Sequence, residues 1–128
     1  MPRSRLAALL VAMAALPALS ISIAAGDGRW QAKVPADARQ RPNPMAAEAS
    51  RIAAGEKLFQ RNCASCHGKQ AEGHLKHPDL HSARVRNATP GELEWLLKNG
   101  SLKNGMPSWS RLPEPQRWQL VTFLKSLN

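Results

Sequence analysis

The sequence predicts an all-α domain, and three observations carry that prediction. Apolar residues recur at three- and four-residue spacing in three separate stretches. No stretch alternates in the strand manner. The middle helical stretch carries both a start and a stop signal.

The first stretch, residues 50–62, sets Ile52, Ala53, Leu58 and Phe59 on one apolar stripe. The second opens with Thr89-Pro90-Gly91-Glu92. Threonine caps, proline fits the first helical position because its N–H would be unpaired there anyway, and Glu92 stands where a capping box closes. This helix should run to Lys98 with Leu93, Leu96 and Leu97 on one face, and stop at Asn99-Gly100. The third stretch, residues 114–127, places Leu120, Val121, Phe123, Leu124 and Leu127 on a broad apolar arc. Its start is less tidy, because Pro113 has no side-chain oxygen to cap with, although Glu114 suits the positive helix end.

A length of 128 residues allows one small domain. A mean hydropathy of -0.39 excludes a multi-span membrane protein, and 43% hydrophobic residues exclude a wholly disordered chain. Two cysteines exclude a multi-disulfide scaffold and a four-cysteine zinc site. The net charge of +9 suits nucleic acid, an acidic protein or an anionic membrane, and does not by itself choose among them.

The chain divides into three parts. Residues 1–25 read as a signal peptide: Arg3 and Arg5 precede an uncharged run over residues 6–25, with small residues near a cleavage zone. The alternative is an uncleaved anchor, since the run just reaches bilayer length, but it is alanine-rich and broken by Pro17. Residues 26–49 contain Gly26, Gly28, Pro35, Pro42 and Pro44 without periodicity, and read as an extended arm, a tether or an irregular cover over the domain surface. Residues 50–128 are the folded unit. Its aromatics are Phe59, Trp95, Trp109, Trp118 and Phe123, a thin core that calls for a staple.

That staple is written at Cys63-Ala64-Ser65-Cys66-His67. Two thiols three residues apart can add to the two vinyl groups of one haem, and the next residue's imidazole then lies under the iron. A thioredoxin-type redox pair would sit beside a βαβ pattern, which is missing. A structural disulfide would not require His67, and zinc would require two further ligands. Covalent haem attachment in bacteria happens outside the cytoplasm, in agreement with the leader, so the expected location is periplasmic.

From these residues the sequence resembles the class I c-type cytochromes, small monohaem electron carriers, over nearly all of the folded unit. Gly55-Glu56-Lys57-Leu58-Phe59 looks like the family's N-terminal helix, and Leu120-Val121-Thr122-Phe123-Leu124 like its C-terminal helix. The resemblance implies the cytochrome c fold, in which these two helices cross and a further helix and loops wrap one covalently bound haem. Gly55 and Phe59 should meet Leu120 and Phe123. Asn104-Gly105-Met106-Pro107 looks like the loop that delivers a sixth iron ligand through the thioether of Met106, 39 positions after His67. Met45, in the arm, is the rival methionine.

The cofactor implied is haem c, one group attached through Cys63 and Cys66, with His67 and Met106 as metal ligands. The resemblance assigns Pro78, in His77-Pro78-Asp79-Leu80, as the carbonyl that orients His67. Leu80, Leu93, Leu96, Leu97 and Val121 should line the haem. Trp109 either reaches a haem propionate or simply packs. His74, His77 and His81 fall on one helical face only if Pro78 permits a helix, which it opposes; they read as loop histidines, with metal binding as the alternative. The implied function is single-electron transfer between redox proteins, as a carrier and not an enzyme, in a respiratory chain. The alternatives are a membrane-tethered subunit of an oxidase or dehydrogenase, or a haem enzyme or gas sensor with an open sixth position. Lys57, Lys69, Lys76, Lys98 and Lys103 fall in segments expected around the haem crevice, and would steer a redox partner with an acidic docking surface. No nucleic-acid-binding motif is present, membrane contact depends on retention of residues 6–25, and the expected state is a monomer.

Overall fold

The computed structural model describes residues 29–45 and 47–127. The expected signal peptide, residues 1–25, lies outside them. The described residues form helices α1 (Arg29–Ala32), α2 (Ala36–Arg39), α3 (Ala49–Asn62), α4 (Ala64–His67), α5 (Ala83–Asn87), α6 (Pro90–Asn99) and α7 (Glu114–Ser126), with one 3₁₀ turn at Leu102–Asn104. Their only β pairing is two isolated bridges, His74 with His77 and Ser101 with Met106. The domain is all-α.

The dominant contact is α3 against α7. It exists because both apolar stripes need cover and a glycine lets the backbones close. A Cβ on Gly55 would strike the Gln119 carbonyl oxygen and come within 2.8 Å of the Phe123 Cβ. One turn along, the Phe59 and Phe123 rings meet at 5.2 Å between centroids, tilted by 45°. Phe59 and Leu120 are fully buried with Trp118 and Val121. Each such side chain contributes on the order of 1.5–3 kcal/mol through burial. The nearest neighbours of Gly55 on α7 are Gln119 and Phe123, while Leu120 lies with Phe59 in the core cluster.

Helix α6 begins and ends at its sequence signals. Thr89 Oγ1 accepts from the Glu92 N–H at 3.1 Å, while the Thr89 N–H donates to Glu92 Oε2 at 2.8 Å. At the other end Gly100 takes φ +71°, where a Cβ would come within 2.6 Å of the Pro107–Ser108 backbone. Helix α7 starts without a side-chain cap at Pro113. Arg117 braces that end instead, donating from Nη1 to the Leu112 carbonyl at 2.5 Å and from Nε to Glu94 Oε1 at 2.7 Å.

The arm differs from the extended chain expected. It holds the single turns α1 and α2, buries Val34, and rests Trp30 and Met45 on the core. Gly91 provides the seat, since a Cβ there would strike the Ala38 carbonyl oxygen. Thr89 Oγ1 donates to the Arg39 carbonyl at 2.8 Å, and Arg39 Nε lies 3.4 Å from Glu92 Oε1. Residues 29–45 of this segment lie against the domain.

Candidate haem-binding site

The site starts where α3 stops. Cys63 leaves helical geometry at φ -120° while its N–H still donates to the Phe59 carbonyl at 2.8 Å. Its own carbonyl then accepts from Cys66 N at 3.1 Å and His67 N at 3.0 Å, closing the single turn α4. One turn therefore presents both thiols and the imidazole. Cys63 is half-buried, Cys66 exposed, and both are free. Burial pushes the Cys63 thiol up to about 11, with Cys66 adding to the rise. A thiol held protonated is the reverse of the low-pKa cysteine that thioredoxin-type exchange requires.

His67 is oriented by the loop that follows. Its Nδ1 lies 3.0 Å from the Pro78 carbonyl oxygen. A carbonyl can only accept, so Nδ1 carries the proton. Burial lowers the His67 pKa, opposed by the Pro78 hydrogen bond, while nearby His77 lowers it further. A neutral ring protonated at Nδ1 keeps its lone pair on Nε2, the tautomer a metal ligand needs.

The loop is tied down at three points. Gly73 N donates to the His67 carbonyl at 2.7 Å, Leu80 N to the Ala71 carbonyl at 2.9 Å, and Gln70 N to Glu72 Oε2 at 2.8 Å. His77 lies edge-on to His67 at 6.1 Å between ring centroids. Pro78 indeed sits outside any helix, so His74, His77 and His81 do not share a helical face. His74 and His77 pair through their backbones, and His81 Nδ1 lies 2.9 Å from Asp79 Oδ1. Among the described residues no group of His, Cys, Asp and Glu is arranged to hold a metal by itself.

Met106 stands at the closure of a second loop. Ser101 N donates to its carbonyl at 2.8 Å and Met106 N returns the bond at 3.1 Å. Gly105 makes the turn at φ 79°, ψ 8°. Met106 is half-buried and packs on the core, as do Cys63, Ala64, Leu80 and Trp109. The loop is anchored to α6 through Trp109 N, which donates to the Leu97 carbonyl at 2.8 Å. Trp109 packs on the core with the Arg111 guanidinium 4.2 Å above its ring centre. Met45, the rival, lines a separate small cavity with Asn43, Pro90, Thr122 and Lys125, none of them a candidate site residue.

Leu93, Leu97 and Val121 are buried in the core and Leu80 packs against it, whereas Leu96 is half-buried outside that cluster. Lys76 and Lys103 line one cavity together; Lys57, Lys69 and Lys98 are simply exposed. The sequence reading missed three features here: the His67–His77 ring contact and the exposed Leu75 and Leu102. A histidine ten positions after His67 had no spacing signal, and neither leucine belongs to a periodic stripe.

The donor set fits haem c. Two free thiols share one turn with an imidazole whose Nε2 is unprotonated, and a thioether stands on a pinned loop. Among the described residues, no helix is long and apolar enough to cross a membrane.

Residues 50–124 match the family described as cytochrome c oxidase, cbb3-type, subunit III. The chain is 38% identical over 79 residues to the cbb3-type cytochrome c oxidase subunit FixP of Rhizobium etli, covering 59% of this chain and 27% of that protein. It is 36% identical over 77 residues to FixP of Sinorhizobium medicae, covering 57% and 26%. It is also 30% identical over 100 residues to the quinohemoprotein alcohol dehydrogenase ADH IIB of Pseudomonas putida, covering 74% and 14%. The chain thus spans about a quarter or less of the length of these curated relatives. The shared part holds the whole cysteine–histidine turn and both crossing helices, and on that ground the chain belongs to the c-type cytochrome family described as cytochrome c oxidase, cbb3-type, subunit III, has the cytochrome c fold, and carries covalently attached haem c.

Proposed function

We propose that this protein is a monohaem carrier that shuttles single electrons between redox proteins in the periplasm, with residues 1–25 removed on export and residues 26–49 covering the domain formed by residues 50–128. The observation that carries the reading is the 3.0 Å contact from His67 Nδ1 to the Pro78 carbonyl, because it fixes the ring and leaves Nε2 to bind iron. The chemistry supplied by bound haem c is a one-electron ferric/ferrous couple.

The residues of the chain do the rest. Cys63 and Cys66 would hold the group through two thioethers, and His67 Nε2 would ligate the metal. Met106 would supply a second iron ligand, a soft thioether that would favour the ferrous state and raise the potential. Its loop is pinned by the Ser101 pairing and the Trp109–Leu97 hydrogen bond, which would keep the thioether in place as the charge changes. Leu80, Leu93 and Leu97 keep water out. With His67 and Met106 both ligating, the iron would have no position left for a substrate, which suits a carrier and not a catalyst.

A second reading, a subunit of an oxidase or dehydrogenase complex, is favoured by the relatives, whose names place them in a cbb3-type oxidase and a quinohemoprotein alcohol dehydrogenase.

Visible spectra of the purified holoprotein test the ligand set. A c-type alkaline pyridine spectrum is expected, with a weak far-red sulfur-to-iron band and no change under carbon monoxide. Haem without that band removes Met106 and revives the enzyme or sensor reading. The intact mass and carbonate extraction of the native protein separate the two carrier readings: loss of the leader and release from membranes support the shuttle, and retention supports the subunit.

A further inference from the structure

The ion pair between α6 and α7 lies inside the domain, Glu94 at 3% exposure and Arg117 at 5%. Taking two charges out of water is costly, and well-packed apolar side chains of similar volume generally serve stability as well or better. Stability is therefore a poor account of this pair. What it offers is direction. The guanidinium is a planar fork whose donors point along fixed lines. Two of them are used: Nε donates to Glu94 Oε1 at 2.7 Å and Nη1 to the Leu112 carbonyl at 2.5 Å. Glu94 is held from its other side as well, with Arg41 Nη1 of the arm 3.6 Å from Oε2.

The Leu112 carbonyl belongs to the segment that follows Met106. From there the hydrogen bonds run back along the chain: Leu112 N donates to the Trp109 carbonyl at 3.0 Å, and Trp109 N to the Leu97 carbonyl at 2.8 Å. Ser108 Oγ adds a bond to the Lys98 carbonyl at 2.6 Å. Glu94 and Leu97 stand one turn apart on α6, so the bonds close a circuit from α6 through Arg117, Leu112 and Trp109 to α6 again. The near end of the segment is thus tied to α6 backbone, and the far end is tied to the same helix through Arg117 and Glu94. Helix α7 has no side-chain cap at Pro113, so no local signal sets where the loop meets that helix. Arg117 sets it.

We propose that Glu94 and Arg117 are positioning residues for Met106. The carboxylate aims the guanidinium, and the guanidinium fixes the Leu112 end of the loop that presents the thioether. This rests on the reading of Met106 as an iron ligand. Both residues act through loop backbone, so their loss should leave the ligand set intact at rest and let the loop open more often. A foreign ligand binds only the open form, and its apparent affinity rises in proportion to the population of that form.

The test uses the ferric holoprotein with imidazole as the probe. In the wild type, imidazole should abolish the far-red sulfur-to-iron band as it binds. The double variant Glu94→Leu/Arg117→Met replaces the pair by apolar side chains, so its melting temperature should hold. Imidazole should nevertheless bind it about tenfold more tightly. Arg117→Lys keeps a charge against Glu94 but puts one ammonium in place of the fork, and about threefold tightening is expected. This variant needs no apolar repacking, so it carries the test if the double variant yields no holoprotein. Thr89→Ala weakens α6 at its other end and should leave the imidazole affinity as it is. Equal tightening in Thr89→Ala would mean that lost stability, not the lost fork, opens the loop, and overturns the positioning role. Unchanged imidazole affinity in both Arg117 variants, whatever their melting temperatures, overturns it too and makes the pair merely structural. A wild type without the far-red band overturns the Met106 reading itself, and the positioning role falls with it.

Discussion

At the scale of single residues, Gly55 shows how one position sets the spacing of the fold. A methyl group there has nowhere to go: on one side is the Gln119 carbonyl, which belongs to α7 backbone, and on the other the Phe123 Cβ at 2.8 Å. Backbone cannot rotate out of the way as a flexible side chain can. Gly55→Ala gains helix propensity, about 1 kcal/mol, but must push α3 and α7 apart along their main contact. Overpacking of that kind costs roughly 1–3 kcal/mol, and separation also loosens the Phe59–Phe123 contact. Net destabilisation is therefore expected, with a lower denaturant midpoint for the holoprotein. A midpoint at or above wild type would mean that the helices have room to spare at Gly55.

At the scale of elements, α6 shows what a local signal is worth. Its capping box satisfies two backbone N–H groups at once, and Thr89 Oγ1 also donates to the arm at the Arg39 carbonyl. Thr89→Ala removes both functions and should cost about 1–2 kcal/mol, read as a drop in thermal midpoint; Thr89→Ser should recover most of it. Equal losses in the two variants would mean that the threonine methyl, not its oxygen, holds the helix end. The bounds of α6 were legible because threonine, proline, glutamate and glycine act on backbone within four residues of themselves. The stripes of α3 and α7 were legible because periodicity repeats over three turns. The arm was not, since a four-residue helix has no period to read and its partners lie far along the chain. The Glu94–Arg117 pair was hidden for a related reason. Charged residues on a helix read as solvent-facing, and only the arm and α7 packed over α6 bury this pair, at 2.7 Å. In the site, the cysteine–histidine turn was legible because it is contiguous, while the Pro78 contact crosses eleven positions of irregular loop and was reached through resemblance alone. Leu75, at φ +53°, had no signal, because nothing in a lone leucine announces a left-handed backbone.

At the scale of the whole molecule, the charges of the arm join the N-terminal segment to the helical body. Arg41 reaches three groups: Glu114 through a hydrogen-bonded ion pair, Glu94 at 3.6 Å, and the face of Trp118 at 5.3 Å. Glu114 accepts from Trp118 Nε1 at 3.1 Å as well, and these two hydrogen bonds, Trp118 first and Arg41 second, hold its carboxyl below the ordinary glutamate range. A carboxyl with a depressed folded pKa stabilises the fold above its unfolded value, and that contribution disappears as pH falls through the folded value. The clamp is therefore complete at neutral pH and weakens in acid, below the ordinary glutamate pKa. Arg41 is 47% exposed at its side chain, so screening keeps each ion pair modest and the arm should loosen without the domain unfolding. Hydrogen exchange read by mass spectrometry should show faster exchange of peptides within residues 29–45 as pH is lowered, after correction for the intrinsic pH dependence, while α3 and α7 stay protected. Arg41→Ala should bring about fivefold faster exchange in the same peptides already at neutral pH, and should remove most of their extra acid sensitivity. If the arm and the crossing helices instead lose protection together in acid, the arm is a cooperative part of the fold and its charges do not act as a separate clamp.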